Sequence, residues 1–264
     1  MKTPMTHMNR KLILISNDDS VHAPGLHRLI ETVAPLGDVI AVAPSEPQSG
    51  QSSAMTVNAP LRVTRLDDIA GARVYSVTGT PVDCVKIAMN SIVPRKPDLV
   101  LAGINHGSNA GVNILYSGTM GATLEGCLQG ISSIGFSLLH HSLQADFSHC
   151  LPLVAMMVER VLETPLPADV CLNVNFPARV AIEGVKVVRA ARSHWTEEYQ
   201  QYTDPHGKPF YWLTGGLIND EPHDDGTDLY WLDRNYATVV PSTPFQTAAP
   251  EYMAPIAELL ATKC

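Results

Sequence analysis

No C-x-x-C pair occurs in this chain, and its five cysteines (Cys84, Cys127, Cys150, Cys171, Cys264) lie far apart. Neither a disulfide framework nor a zinc site is expected from that spacing; reduced thiols and a cytoplasmic location are. No apolar run approaches the roughly 20 residues that a bilayer-spanning helix needs. The first apolar run leads into Asn17-Asp18-Asp19, where a signal peptide would carry small residues before its cleavage site. Residues 1–10 read as a loose extension, with Met8 an alternative start. Charge is also sparse: 17% of residues are charged and the net charge is -8, which argues against a surface for nucleic-acid polymers. A small anionic substrate held by a metal stays compatible with that balance. No G-x-x-x-x-G-K-[ST] occurs, no G-x-G-x-x-G follows the first strand, and Gly50-Gln51-Ser52-Ser53-Ala54 fails G-x-S-x-G at its last position. A P-loop NTPase, a dinucleotide site of the usual kind and a serine esterase are thereby disfavoured.

What the chain does have is 264 residues, 45% of them hydrophobic, enough for a large α/β core. Leu12-Ile13-Leu14-Ile15 is aliphatic without alternation, as in a strand buried on both faces of a parallel sheet. Similar runs at Val39 to Ala43 and Leu99 to Ala102, and further strands at Ile134 to Leu138 and Cys171 to Phe176, alternate with helical patterns. Those patterns run over Gly25 to Leu36, from Pro81, from about Ser117, and over Asp146 to Leu162 with an irregularity expected at Pro152. Val63 and Val74 to Val77 mark further strands. The alternation predicts a Rossmann-like, doubly wound, mostly parallel sheet. Residues 11–264 are expected to form one domain. From about residue 186 the pattern changes: all three tryptophans and six of the eight tyrosines fall there, with turn signals at Asp204-Pro205-His206-Gly207 and Asp224-Asp225-Gly226. A hairpin-rich arm ending in a helix is predicted over about 186–264. Its aromatics would cover the sheet's end, dock on another subunit or fill the chain's own core.

Three of the buried strands run into loops rich in oxygen donors: Asp18 and Asp19 after the first, Ser45 to Ser53 after the second, Asn105 and Asn109 after Leu99 to Ala102. In a parallel sheet those loops leave from one edge, where ligand crevices form. Two adjacent carboxylates repel each other unless a cation, a donor or a shared proton offsets them. A helix cap is the competing reading of the pair. Carboxylates, hydroxyls and amides without thiolate select hard cations, Mg²⁺ or Mn²⁺ before Ca²⁺. Ser117-Gly118-Thr119 at a helix start is either a phosphate cradle or an ordinary cap. A cation beside a phosphate cradle would support metal-assisted phosphoester chemistry. His106, next to Asn105, is a proton donor or a structural histidine. The His140-His141 pair lacks an H-E-x-x-H context and reads as a solvated loop.

These motifs resemble the SurE family of 5'/3'-nucleotidases. The resemblance is carried in order by Leu14-Ile15-Ser16-Asn17-Asp18-Asp19, Val42-Ala43-Pro44 with Gln48-Ser49-Gly50, Gly79-Thr80-Pro81-Val82-Asp83, Gly103-Ile104-Asn105 with Gly107 and Asn109, Tyr116-Ser117-Gly118-Thr119, Leu172-Asn173-Val174-Asn175 and Gly226-Thr227-Asp228. It implies a metal-dependent phosphatase of nucleoside monophosphates with an arm exchanged within a homodimer or homotetramer. It further implies that Asp18, Asp19, Ser49 and Asn105 hold the metal. Asp18, Asp19 and Asn105 are then the expected catalytic residues, and Asn109, Ser117, Gly118 and Thr119 the expected phosphoryl-binding ones. Ser20 stands where the family usually has glycine, Ser108 where it commonly has proline, and Arg234-Asn235-Tyr236-Ala237 replaces a glycine-containing turn. A non-catalytic nucleotide or phosphate sensor is the alternative function, and short polyphosphates are an alternative substrate.

Overall fold

The computed structural model describes residues 10–140, 142, 144–178 and 181–260. The expected extension before Arg10 and the second histidine of the His140-His141 pair lie outside them. In chain order the elements are β1 (Leu12–Ser16), α1 (Pro24–Val33), β2 (Asp38–Pro44), β3 (Val63–Arg65), β4 (Arg73–Val77), α2 (Pro81–Ile87), β5 (Leu99–His106), α3 (Gly118–Leu128), β6 (Ser133–Leu138), α4 (Leu151–Glu163) and β7 (Cys171–Phe176). The last third adds β8 (Val185–Val187), β9 (Ser193–Thr196), β10 (Tyr199–Thr203), β11 (Pro209–Leu213), β12 (Gly216–Asn219), α5 (Asp228–Leu232), β13 (Ala237–Ser242) and α6 (Met253–Leu260).

Among the described residues nine strands form one sheet in the order β3-β4-β2-β1-β5-β6-β7-β13-β8. From β4 to β7 every pairing is parallel. Successive residues of β1 face opposite layers. Ile13 and Ile15 pack with Leu26, Leu29 and Ile30 of α1 and Val154 and Val158 of α4. Leu12 and Leu14 pack with Cys84 and Val85 of α2 and Ala122 of α3. Both faces of the sheet are therefore covered, as the unbroken aliphatic runs require. The mostly parallel Rossmann-like arrangement stands as predicted.

The chain moves from β1 outward to β2 and β4, then returns to lay β5 on the other side of β1. The strand order reverses between β1 and β5, which opens a crevice beyond their carboxyl ends. The loops holding Asp18, Asp19 and Asn105 leave from there.

Two expectations change. Pro152 lies in the first turn of α4 and does not interrupt it, because α4 begins at Leu151 and a first-turn proline gives up no helical hydrogen bond. Residues 148–150 form a turn, and Phe147 just before it is buried in the core. The last third is also less separate than its aromatic, turn-rich composition predicts. β13 pairs antiparallel with β7 and carries β8 on its far side, extending the main sheet. Buried Ala237, Val239 and Val240 account for that return. Among the described residues only β9 with β12 and β10 with β11 stand apart as two-stranded ribbons.

The loop departures are resolved by backbone conformation. Ser20 takes φ +88°, the left-handed region where glycine is at ease, and Asn235 takes φ +62°, which asparagine tolerates better than most side chains. Ser20 carries the greater strain.

Candidate active site

The site is built from the first loop outward. Asp18 is buried, and its Oδ1 accepts a 2.5 Å hydrogen bond from the hydroxyl of Thr119 in the first turn of α3. Gly118 lets the helix come that close: a Cβ there would sit 2.8 Å from Asp18 Cβ and 3.0 Å from its Oδ2. Burial, then the neighbouring Asp19 carboxylate, push the Asp18 carboxyl up to about 6 against the opposing Thr119 hydrogen bonds. A buried carboxyl raised by a second acid beside it is the electrostatic arrangement that a divalent cation relieves.

Asp19 points its Oδ2 at the end of β5, where it accepts from the His106 main-chain N–H and lies 3.0 Å from His106 Nδ1. Asn105 is nine-tenths buried and donates its Nδ2 to the Gly107 carbonyl at 3.0 Å, leaving its amide oxygen for another partner. The β5–β6 register shifts between Ala102 and Asn105. Gly103 makes this possible: it sits at φ +117°, and a Cβ would meet the Phe136 carbonyl oxygen at 2.3 Å. The second loop is tied to the first by Gln48 N–H donating to the Asp18 carbonyl at 2.7 Å, which sets Ser49 beside the site.

Asp18, Ser49, Asn105, Asn109 and Ser117 line one cleft of about 820 Å³. Asp19 reaches it through His106, which also lines it. Among the described residues no three or more His, Cys, Asp or Glu side chains gather into a metal cluster. The donors present are two carboxylates, one amide and one hydroxyl, an all-oxygen set suited to a hard divalent ion.

Asn109 is held from three sides. Its N–H donates to Asn175 Oδ1 at 2.8 Å, its Nδ2 to Ser137 Oγ at 2.7 Å, and its carbonyl accepts from Asn173 Nδ2 at 2.8 Å. This buried network explains why polar residues punctuate β7, an otherwise apolar strand. Ser117 caps α3 by accepting from Met120 N–H at 3.0 Å. Thus Gly118 packs on Asp18, Thr119 spends its hydroxyl on the same carboxylate, and Asn109 and Ser117 face the cleft.

The family model described as Survival protein SurE matches residues 13–197. The chain belongs to the SurE family. It is 46% identical over 233 residues to a protein of Phocaeicola vulgatus named 5'-nucleotidase SurE, covering 88% of this chain and 91% of that one. A relative from Christiangramia forsetii with the same name is 47% identical over 241 residues, 89% of this chain and 92% of its own. The crystal structure of the SurE protein from Aquifex aeolicus superposes with a TM-score of 0.81 at 35% identity, covering 94% of this chain and 99% of that chain.

Sequence reasoning missed the far wall of the cleft. Trp195, Glu198, Tyr199, Leu213, Thr214 and Gly215 come from the arm between β9 and the start of β12 and line the same space as Asp18 and Asn105. The aromatic enrichment was visible, yet no periodicity ties these residues to the sheet's edge. The fastening is polar: Trp195 Nε1 donates to Asn113 Oδ1 at 2.9 Å, and buried Asp228 accepts from the N–H groups of Gly111, Ala191 and Leu229.

Proposed function

We propose that this SurE-family chain is a metal-dependent phosphomonoesterase that hydrolyses nucleoside 5'-monophosphates to nucleoside and phosphate. The observation that carries the reading is the single cleft, at the reversal of strand order, in which Asp18, Ser49, Asn105, Asn109 and Ser117 meet the arm's Trp195 and Tyr199. Its volume is in the range that small-molecule sites use. Acidic and amide oxygens gather on one wall and aromatic rings on the other, which suits a ligand with a phosphate at one end and a planar base at the other. The names of the relatives point the same way.

Asp18, Asp19, Ser49 and Asn105 would hold the divalent ion, Mg²⁺ or Mn²⁺. Bound there, such an ion supplies polarisation of the phosphoryl group and activation of water. Asn109, Ser117 and the first N–H groups of α3 at Gly118 and Thr119 orient the phosphoryl oxygens. Water is the nucleophile, the P–O ester bond breaks, and the nucleoside leaves with a proton. An aspartate nucleophile is the competing chemistry, and heavy oxygen from labelled water found in a carboxylate after one turnover would establish it.

The deciding experiment measures phosphate released from nucleoside monophosphates, 5' and 3', and from short polyphosphates. Release that EDTA abolishes and Mg²⁺ or Mn²⁺ restores supports the reading. Nucleotide binding without release under either metal would make the protein a sensor.

We assign the chain to the cytoplasm on the free, buried thiols of Cys84, Cys127, Cys150 and Cys171. Among the described residues no helix is long and apolar enough to cross a membrane. A homodimer or homotetramer built through the arm is supported by Tyr211, Trp212 and Leu213 of β11 and by Leu259 and Leu260 of α6, all exposed. Light scattering should give a dimer or tetramer mass; a monomer at every concentration would remove this assignment.

A further inference from the structure

His106 follows Asn105 at the end of β5, and its side chain is only 4% exposed. Its main-chain N–H and its ring Nδ1 both lie 3.0 Å from one atom, Asp19 Oδ2. A carboxylate oxygen only accepts, so Nδ1 carries the hydrogen. Among the described residues Nε2 is buried with no hydrogen-bond partner, so the ring's only polar tie is through Nδ1. The ring also meets Phe147 edge-on, with centroids 5.1 Å apart and planes at 87°. Asp19 and Phe147 together hold the imidazole in one tautomer and one orientation.

Two donors, one from the main chain and one from the ring, converge on Oδ2 and leave Oδ1 as the oxygen of Asp19 without either bond. The main-chain bond alone would allow the carboxylate plane to swing about it; a second donor from a different direction fixes the plane. We infer that His106 is a positioning residue for Asp19, pinning Oδ2 so that Asp19 offers the divalent cation Oδ1 alone. This rests on the metal reading given above. Its physical basis is pre-organisation: a ligand oxygen already oriented loses less freedom when the ion arrives, and partners that orient ligating groups in this way govern metal affinity.

Two variants separate positioning from packing. His106→Phe keeps a ring against Phe147 and removes the Nδ1 donor. His106→Asn gives up the ring and returns a side-chain N–H near the place of Nδ1. The measurement is Mn²⁺ affinity of the metal-stripped full chain by titration calorimetry, with kcat and the Mn²⁺ dependence of phosphate release alongside. His106→Phe should weaken Mn²⁺ binding by about tenfold or more, with activity recovering in excess Mn²⁺. His106→Asn should bind Mn²⁺ more tightly than His106→Phe despite its poorer packing. The inference is overturned if His106→Phe binds Mn²⁺ as tightly as the unaltered chain, or if His106→Asn is the weaker of the two. Asp19→Asn, titrated in parallel, separates the two levels. Unchanged Mn²⁺ affinity there removes the metal reading itself, whereas weakened affinity there with none in His106→Phe removes only the role of His106.

Discussion

The two walls of the cleft are made in opposite ways. The inner wall hangs on β1 and β5, of which β1 is buried throughout and β5 from Leu99 to Asn105, with the His106 side chain also covered at its end. The outer wall hangs on β10 and β11, in which every residue is exposed. On the proposed function, the groups that would hold an ion within tenths of an ångström sit where packing fixes their backbone, and those that would only meet a base sit on a ribbon with little core of its own. The comparison predicts that chemistry and stability separate from substrate fit along the line between the walls.

The largest effect should come from the inner wall. Asp18→Asn is expected to cut phosphate release by more than about 100-fold, because even outer partners of a metal cost 10- to 100-fold. The melting temperature of the metal-free protein should not fall. The amide oxygen still accepts from Thr119, and the repulsion from Asp19 is gone. A variant that is both active and unstable would make the aspartate pair a structural cap. Phosphate release and thermal unfolding of one preparation decide it.

The second effect tests the seam between the walls. Asp228 accepts from Gly111 N–H at 2.9 Å and from Ala191 and Leu229 N–H at 2.8 Å, all from a fully buried carboxylate. Asp228→Ala strands the buried N–H groups of Gly111 and Ala191 and the half-buried one of Leu229, at a cost of roughly 1–3 kcal/mol for each when no water replaces the carboxylate. Urea unfolding should show a loss of about 3 kcal/mol or more. If the loss stays under about 1 kcal/mol, the seam carries little and the walls are independent.

A third, smaller effect belongs to the outer wall alone. Tyr199→Ala should raise KM for a nucleoside monophosphate on the order of tenfold with kcat nearly unchanged, the signature of lost binding shared by ground and transition states. Inorganic polyphosphate, which has no base, should be hydrolysed as before. A fall in kcat instead would bring the arm into the chemistry.

How far these walls could be read from sequence follows the same division. β1 and the first half of β5 were legible because strands buried on both faces favour unbroken aliphatic runs, β6 and β7 because short apolar-rich runs alternate with helical patterns, and Asp18, Asp19 and Asn105 could be placed because such strands deliver their successors to one edge. The close fit of Gly118 to Asp18 was not legible, since a glycine before a helix fits many caps. Neither was the convergence of two donors on Asp19 Oδ2, which depends on the register shift near Gly103. β13 escaped because Ala237 to Val240 is too short a run to reveal which strand it would join. The cleft residues Glu198 and Leu213 were hidden most deeply. They reach the site through loop geometry, a hydrogen bond donated by Trp195 and those accepted by Asp228, which leave no period in the chain.

The smallest effect sharpens the comparison through pH. Arg189 binds both oxygens of Glu221, at 2.8 and 2.9 Å, and Arg192 N–H adds a third bond at 2.7 Å. Chiefly through the Arg189 hydrogen bonds, the Glu221 carboxyl is held down to about 2 from its ordinary 4.5. A depressed carboxyl stabilises the fold fully above its unfolded pKa and loses that contribution as pH falls through its folded one. The contact at the base of the arm should therefore weaken between pH about 4.5 and about 2, and not above. Solvent screens the pair, so the change in global stability should be small. Chemical-shift titration of the Glu221 carboxyl should give a midpoint near 2, with hydrogen exchange at Arg192 rising over the same range. Glu221→Gln should abolish that rise while leaving the pH dependence of buried β1 amides as it was. A Glu221 midpoint near 4.5 would mean that Arg189 does not hold the arm's base in solution, and that the outer wall depends on Asp228 and Trp195 alone.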